Sequence, residues 1–224
     1  EKQDLNIIGQ FGVGFYSAFM VASKIDVLTK TYDGQAYLFS SSGEDSYSIE
    51  ESSKEETGTS ITLYLKKSSK EVDYDKYLEE YQIKDLVKRY SDYIRYPIKM
   101  LRTVRKPKLD KDGNEIKDET EEVKEEQTLN SMVPLWKKNK KDVKDEDYNN
   151  FYKDRYYDYQ DPLHIIKSKV EGLVSYDALL FIPSHASTDY YTKEYEKGLE
   201  LYSKGVLITN KCADLLPDYF SFVK

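Results

Sequence analysis

The stretch Ile7-Ile8-Gly9-Gln10-Phe11-Gly12-Val13-Gly14-Phe15-Tyr16-Ser17-Ala18-Phe19-Met20 sets three glycines within six positions, directly before an apolar run. Without Cβ atoms, Gly9, Gly12 and Gly14 let backbone N–H groups approach a ligand closely. Residues 15–22 hold neither Pro nor Gly, which predicts a buried helix of about two turns. The start of such a helix carries unpaired amides and partial positive charge, so turn and helix together suit a phosphate. Three glycines standing alone read first as a turn packed against a strand. What surrounds them decides.

The familiar nucleotide loops fail on spacing. A dinucleotide fold needs G-x-G-x-x-G after a full strand, whereas only Ile7 and Ile8 precede here and Ser17 stands where the third Gly would be. No Gly-Lys-Ser/Thr follows, and there is no G-x-S-x-G, H-E-x-x-H, H-R-D or D-F-G. Asp110-Lys111-Asp112-Gly113 begins like a calcium loop, but its Gly comes two positions early. The many carboxylates read as solvated surface, and no catalytic pair or metal-ligand set is singled out.

Outward from the turn, Ile25, Val27 and Thr29 alternate in residues 24–31, and Asp33-Gly34 signals a hairpin. Residues 36–40, 47–50 and 59–66 repeat the pattern, predicting an antiparallel meander. Ile83, Leu86, Val87, Tyr90 and Ile94 then fall at helical spacing up to Pro97, predicting one long amphipathic helix against the sheet. Residues 102–128 are dominated by Lys, Glu and Asp, with Asp112-Gly113 in the middle. They read as a charged edge hairpin, with disorder as the competing reading.

In the second half, Asp145-Glu146-Asp147 offers an N-cap and first-turn negative charge for a helix bearing Tyr148, Phe151 and Tyr152. Two extended runs, 165–170 and 174–182, flank Glu171-Gly172. One further strand around 199–209 and a helix from Ala213 complete an α+β pattern.

Composition narrows the class. With 224 residues, 39% of them hydrophobic, two compact units are expected. A net charge of -7 argues against nucleic-acid partners. No run approaches the ~20 apolar residues of a membrane span, and the N-terminus lacks the features of a signal peptide. The single Cys212 cannot form an internal disulfide, nor a familiar metal site with His164 and His185. A reducing cytosolic setting is expected. The 22 Tyr residues read as amphipathic packing. The start at Glu1 and the stop at Lys224 read as cut ends.

IIGQFGVGFYSAFMVASKIDVLTK resembles the segment that closes the ATP lid in the ninety-kilodalton heat-shock chaperone family, in its bacterial branch. Thr57-Gly58-Thr59 with ITLYL, IKDLVKRYSDYIRYPIKM, PLWKKNK, DEDYNNFYKDRYYDYQDPL, KVEG, ALLFIPS and GLELYSKGVLITNKCADLLPDYFSFVK continue the likeness in order. Residues 102–127 match in character only. The resemblance implies that residues 1–128 are the C-terminal part of a GHKL-type nucleotide-binding domain, an antiparallel or mixed sheet with helices. Residues 129–224 would then be the first α/β/α part of a middle domain.

Carried over by position, Gly9, Gln10, Phe11, Gly12, Val13, Gly14 and Phe15 correspond to the phosphate-contacting turn, with Phe15 also an apolar wall. Thr59 corresponds to the hydroxyl in the network that reads adenine. The resemblance further implies ATP with Mg2+, client proteins, a homodimer and a cytoplasmic location for the intact protein. It sets the general base upstream of Glu1 and the phosphate-reaching Arg downstream of Lys224, so this piece is expected not to hydrolyse ATP. The sheet, without its covering helices, is expected to expose an apolar face and to aggregate. The alternatives are another GHKL ATPase, of DNA-repair or topoisomerase type, and a protein-binding scaffold with a vestigial nucleotide site.

Overall fold

Strand β1 (Ala22–Lys30) organises the first part of the chain. The computed structural model describes residues 12–109, 115–139 and 141–224, an α+β structure in which every strand pairing is antiparallel. It divides into two units between Ile83 and Lys84.

In the first unit β2 (Ala36–Ser41), β3 (Tyr47–Ser52) and β4 (Gly58–Leu65) join β1 in the order β3-β2-β1-β4. The meander expected from sequence therefore holds for three strands only. β4 returns to the far side of β1, pairing Ile25 with Leu63, Val27 with Ile61 and Thr29 with Thr59, the strand order of a Greek key. A meander would leave β1 at an edge. The observed order makes this apolar strand central, and Ile25 is completely buried.

Directly opposed residues share a face, so the register sorts the sheet. Ile25, Val27, Phe39, Ile49, Ile61 and Leu63 lie on one side; Lys24, Asp26, Ser40 and Tyr64 lie on the other. On the polar side Asp26 accepts from Tyr64 Oη at 2.9 Å, from Lys24 Nζ at 3.1 Å and from Ser40 Oγ. The Ser40 hydroxyl is the main reason this carboxyl is held below the usual range.

The helix expected over residues 15–22 is a 3-10 helix, Val13–Met20, and residue 22 already belongs to β1. It is not buried: Val13, Tyr16 and Met20 are exposed. Phe15 packs on Phe39 of the apolar face, and Phe19 packs on Phe15. Ile49 and Ile61 stay more than half exposed on that face.

Helix α1 (Glu80–Tyr90) stops nearly two turns short of the predicted end near Pro97. The path beyond the helix is held from 36 residues away. The buried Asn130 side chain donates Nδ2 to the carbonyls of Ile94 and Tyr96 at 2.8 and 2.9 Å and accepts the Ile98 N–H at 2.8 Å. Past Tyr90 the chain turns, the Ile94 N–H donating to the Ser91 carbonyl at 3.2 Å, and Asn130 holds the peptide groups that follow. Asp92 fixes the same junction, accepting from Lys88 Nζ at 3.0 Å and Ser131 N at 2.8 Å.

From there β5 (Lys99–Leu109) and β6 (Glu115–Thr128) form a two-stranded ribbon. Lys99, Arg105 and Lys106 contact Glu126, Glu122 and Glu125 across it. The expected Asp112-Gly113 turn lies outside the described residues.

The core of the second unit forms around α2 (Asp145–Tyr156), whose Tyr148 and Tyr152 are buried with Phe181 and Val143. Each such side chain stabilises by about 1.5–3 kcal/mol. The N-cap is Lys144 rather than one of the acids, and Asp147 closes the turn by accepting the Lys144 N–H at 2.8 Å. β7 (His164–Val170) pairs with β8 (Tyr176–Ile182).

The single strand expected over residues 199–209 is a hairpin, β9 (Leu199–Ser203) and β10 (Val206–Cys212). Lys204 and Gly205 take φ of 51° and 85°, the two left-handed residues of a tight hairpin turn. A Cβ on Gly205 would lie 2.1 Å from the Tyr93 carbonyl oxygen. The helix expected from Ala213 is two 3-10 turns, Ala213–Leu215 and Asp218–Phe220.

Candidate functional site

Of the turn read from sequence, Gly9, Gln10 and Phe11 lie outside the described residues. Gly12 is the N-cap of the 3-10 helix, at φ 67° and ψ -2°. This left-handed conformation strains residues that carry a Cβ. Among the described residues, no atom beyond the chain neighbours lies within 4 Å of where a Cβ would stand on Gly12 or Gly14, so none of them closes over the turn. The first amides of the helix, from Val13 onward, have no earlier helical carbonyl to bond. Ser17 Oγ donates to the Gly14 carbonyl at 2.6 Å, tightening the first turn.

Phe15 is half-buried and packs edge-on against Phe19 and Phe39, each with ring centroids 6.1 Å apart. Phe39 stacks in turn on Tyr47 at 5.6 Å. Phe39 sits opposite Val27, while Phe19 lies over Gly43, beyond the Ser41–Ile25 end of the sheet. The helix therefore runs back along β1, with its Gly12 end directed toward the end where Thr29 faces Thr59.

Thr59 is exposed on edge strand β4, on the same face of the sheet as Phe39 and Val27. Its hydroxyl meets that of Thr29 at 2.8 Å, which fixes its rotamer and leaves further hydrogen-bonding capacity toward solvent. The structure thus sets Phe15 and Thr59 on one face, with the open turn at the same end. Glu51 stands in the same cross-strand row as Thr29 and Thr59, two strands from Thr29, and among the described residues no group of three or more His, Cys, Asp or Glu is placed to hold a metal ion.

Sequence reasoning missed two polar centres. One is Asp26, on the opposite face from the turn. The other joins Arg155 to Glu200 through two bonds of 2.8 Å, with Tyr202 Oη donating to Glu200 at 2.8 Å. Tyr202, Tyr93 and Trp136 pack around this pair with ring centroids 4.9–5.5 Å apart. Burial, aided by Asp92, pushes the Tyr93 phenol up to about 12. A basic residue 45 positions before an acidic one carries no local signal, so neither partner stands out in the sequence. Among the described residues, no helix is long and apolar enough to cross a membrane.

Comparison with known proteins adds identity to this geometry. A family model described as Hsp90 protein matches residues 102–224, more than half of the chain. The chaperone protein HtpG of Shouchella clausii is 58% identical over 220 residues, covering 98% of this chain and 34% of that protein. HtpG of Clostridium botulinum is 55% identical and that of Clostridium acetobutylicum 54%, each over the whole chain and 35% of the relative. The chain spans about a third of the length of the curated relatives it matches.

Proposed function

Because the chain belongs to the Hsp90 family, we propose that it forms part of an ATP-dependent molecular chaperone that assists folding and remodels client proteins. Residues 1–128 are the C-terminal part of a GHKL-type nucleotide-binding domain ending in the charged ribbon, and residues 129–224 begin the middle domain with its first α/β/α layer. The intact protein is a cytoplasmic homodimer in which ATP hydrolysis is coupled to lid and domain closure. Likeness to HtpG along the whole chain favours this over a topoisomerase or DNA-repair ATPase.

The observation that carries the reading is the open turn at Gly12 and Gly14, heading a helix on the same sheet face as Thr59. Backbone amides of Gly12, Val13, Gly14 and Phe15, continuing the turn of Gly9, Gln10 and Phe11, would hold the phosphates. Phe15 presents an apolar wall steadied by Phe39. Thr59, held by Thr29, offers a hydroxyl to the adenine-side hydrogen-bond network. Bound ATP supplies the phosphoanhydride whose hydrolysis drives the cycle.

None of these residues carries a base, so they position the nucleotide and do not activate water. The turn residues and Thr59 offer no carboxylate for Mg2+, and among the described residues no group of three or more His, Cys, Asp or Glu is gathered to hold one.

Gly14→Val in the full-length protein tests the reading. Gly14 lacks a positive φ and has open space beside it, so the fold tolerates Val while the added methyl groups fill the phosphate side. Calorimetric titration should then show ATP affinity lowered by at least about tenfold, the equivalent of about 1.4 kcal/mol, with thermal unfolding unchanged. Unaltered affinity would overturn the assignment.

A further inference from the structure

Residues 53–57 carry the chain from the end of β3, across β2 and β1, to the start of β4. Ser52, Ala36, Lys30 and Gly58 form one cross-strand row at that end of the sheet, so the crossover spans three strand spacings, about 14 Å. At about 3.3–3.6 Å per residue, the stretch from Ser52 to Gly58 reaches only about 20 Å when fully extended. It has little slack. Where the crossover sits therefore decides where β4 begins, and Thr59 is the second residue of that strand.

A segment without ladder partners leaves its carbonyls to side chains or water. Lys30, the last residue of β1, is half-buried, and its Nζ donates to the Lys54 carbonyl at 2.9 Å and to the Glu55 carbonyl at 3.2 Å. An ammonium carries three donors on a flexible stem, so it can bridge successive carbonyls, and its charge strengthens each bond. Lys54 in turn donates to Ser60 Oγ at 3.4 Å.

Thr59 is thereby bracketed. Gly58 before it pairs with Lys30, and Ser60 after it is bonded to the clamped loop. Gly58 takes φ 123°, so the chain enters β4 through a conformation that side chains disfavour, and the clamp holds the loop side of that bend. Successive strand residues point to opposite faces, which sets Lys30 on the face away from the Thr29 and Thr59 hydroxyls. A second bond at the same end of the sheet, from Gln35 Nε2 to the Ser52 carbonyl at 2.8 Å, holds β3 at the opposite edge from Thr59.

We propose that Lys30 is a positioning residue of the nucleotide site. It clamps the crossover at Lys54 and Glu55 from one face of the sheet and so fixes the Thr59 hydroxyl on the other, without itself touching nucleotide. The inference rests on the nucleotide reading of Gly12–Phe15 and Thr59, and adds to it a residue from outside the turn and the adenine-side network.

The test measures ATP binding to the full-length protein by calorimetry. Lys30→Met keeps the apolar stem and removes the donors. Glu55 is exposed and Lys54 half-buried, so water reaches the freed carbonyls and the fold persists. ATP affinity should fall about fivefold, the weight of one ordinary hydrogen bond, and Lys30→Arg, which retains donors, should recover it. In a Thr59→Val background Lys30→Met should change affinity by less than about twofold, because residues acting through one contact are not additive. Gln35→Ala, which loosens the same end of the sheet away from Thr59, should also stay within about twofold. Hydrogen exchange without nucleotide reads the clamp by itself, and Lys30→Met should speed it across residues 53–60.

Unchanged affinity in Lys30→Met, a loss that Lys30→Arg does not recover, an equal loss in Gln35→Ala, or an equal loss with and without the Thr59 hydroxyl overturns the proposal. If Gly14→Val weakens ATP binding while Lys30→Met alters neither affinity nor exchange, the clamp fails and the nucleotide reading stands. If the full-length protein binds no ATP while Lys30→Met still speeds exchange across residues 53–60, the nucleotide reading fails and the clamp on β4 stands.

Discussion

Asn130 is the residue on which the second unit's first junction depends. Its side chain makes three bonds of 2.8–2.9 Å to the peptide groups of Ile94, Tyr96 and Ile98 while itself only 5% exposed. Asn130→Ala removes all three. Tyr96 is exposed, so water can rehydrate its carbonyl at small cost. Ile94 and Ile98 are half-buried, and their freed groups keep part of the penalty of an unmade bond. At about 1 kcal/mol for each ordinary bond and somewhat more for a buried unsatisfied group, the expected loss is about 3–4 kcal/mol.

Asn130→Asp sharpens the test. It keeps an acceptor for the Ile98 N–H but sets a carboxylate oxygen against two carbonyl oxygens, so near neutral pH it should be less stable than Asn130→Ala. It should recover as acidification protonates the new carboxyl. Urea unfolding followed by the single Trp136, which packs against Tyr93 beside this junction, measures both variants. A cost below about 1 kcal/mol for Asn130→Ala, or an aspartate variant more stable than the alanine one at pH 7, would refute the reasoning.

Gly205→Ala combines left-handed strain of about 1–2 kcal/mol with overlap on the Tyr93 carbonyl. It should lower the thermal midpoint of the chain by more than about 4 °C, measured by circular dichroism. Asp26 has a folded-state carboxyl below its ordinary value. Its stabilisation is therefore complete above the unfolded value of about 3.9 and lost as pH falls through the lower folded one. Asp26→Asn should accordingly lose less stability than the parent chain between about pH 5 and about pH 3, read from urea midpoints. In the ribbon, Arg105 and Glu122 are both well exposed at 3.3 Å, so Glu122→Lys should change stability by less than about 0.5 kcal/mol. That difference should vanish near 1 M salt, where the screening length is about 3 Å.

Local periodicity made most elements legible. The alternation of Ile25, Val27 and Thr29 marks β1, and Tyr148, Phe151 and Tyr152 mark the face of α2. The errors arise where distant residues decide. β4 returns to β1 and gives that strand neighbours on both sides, which no window around residues 58–65 reveals. Helix α1 stops at Tyr90, and the path that follows it is held by Asn130, far along the chain. The Lys204-Gly205 hairpin had a readable local signal, a Gly flanked by apolar runs, that a single-strand reading passed over.

The turn was the most legible part of the site, since the use of Gly12 follows from its missing Cβ. Exposure of the helix behind it was not, because an apolar run does not state whether a second layer will cover it. Thr59 drew attention through family likeness alone; its place on the same face as Phe15 follows from a register that sequence did not specify.

On the proposed function, the Gly12–Phe15 backbone faces phosphate. Backbone amide resonances of the whole chain, followed by NMR during titration with ATP, test it most directly. The expected result is saturable movement of the Gly12, Val13, Gly14 and Phe15 amides, accompanied by Thr59, with α2 unmoved. If these amides stay still at saturating nucleotide in the full-length protein as well, or if the movement is confined to residues around α2, the claim is contradicted.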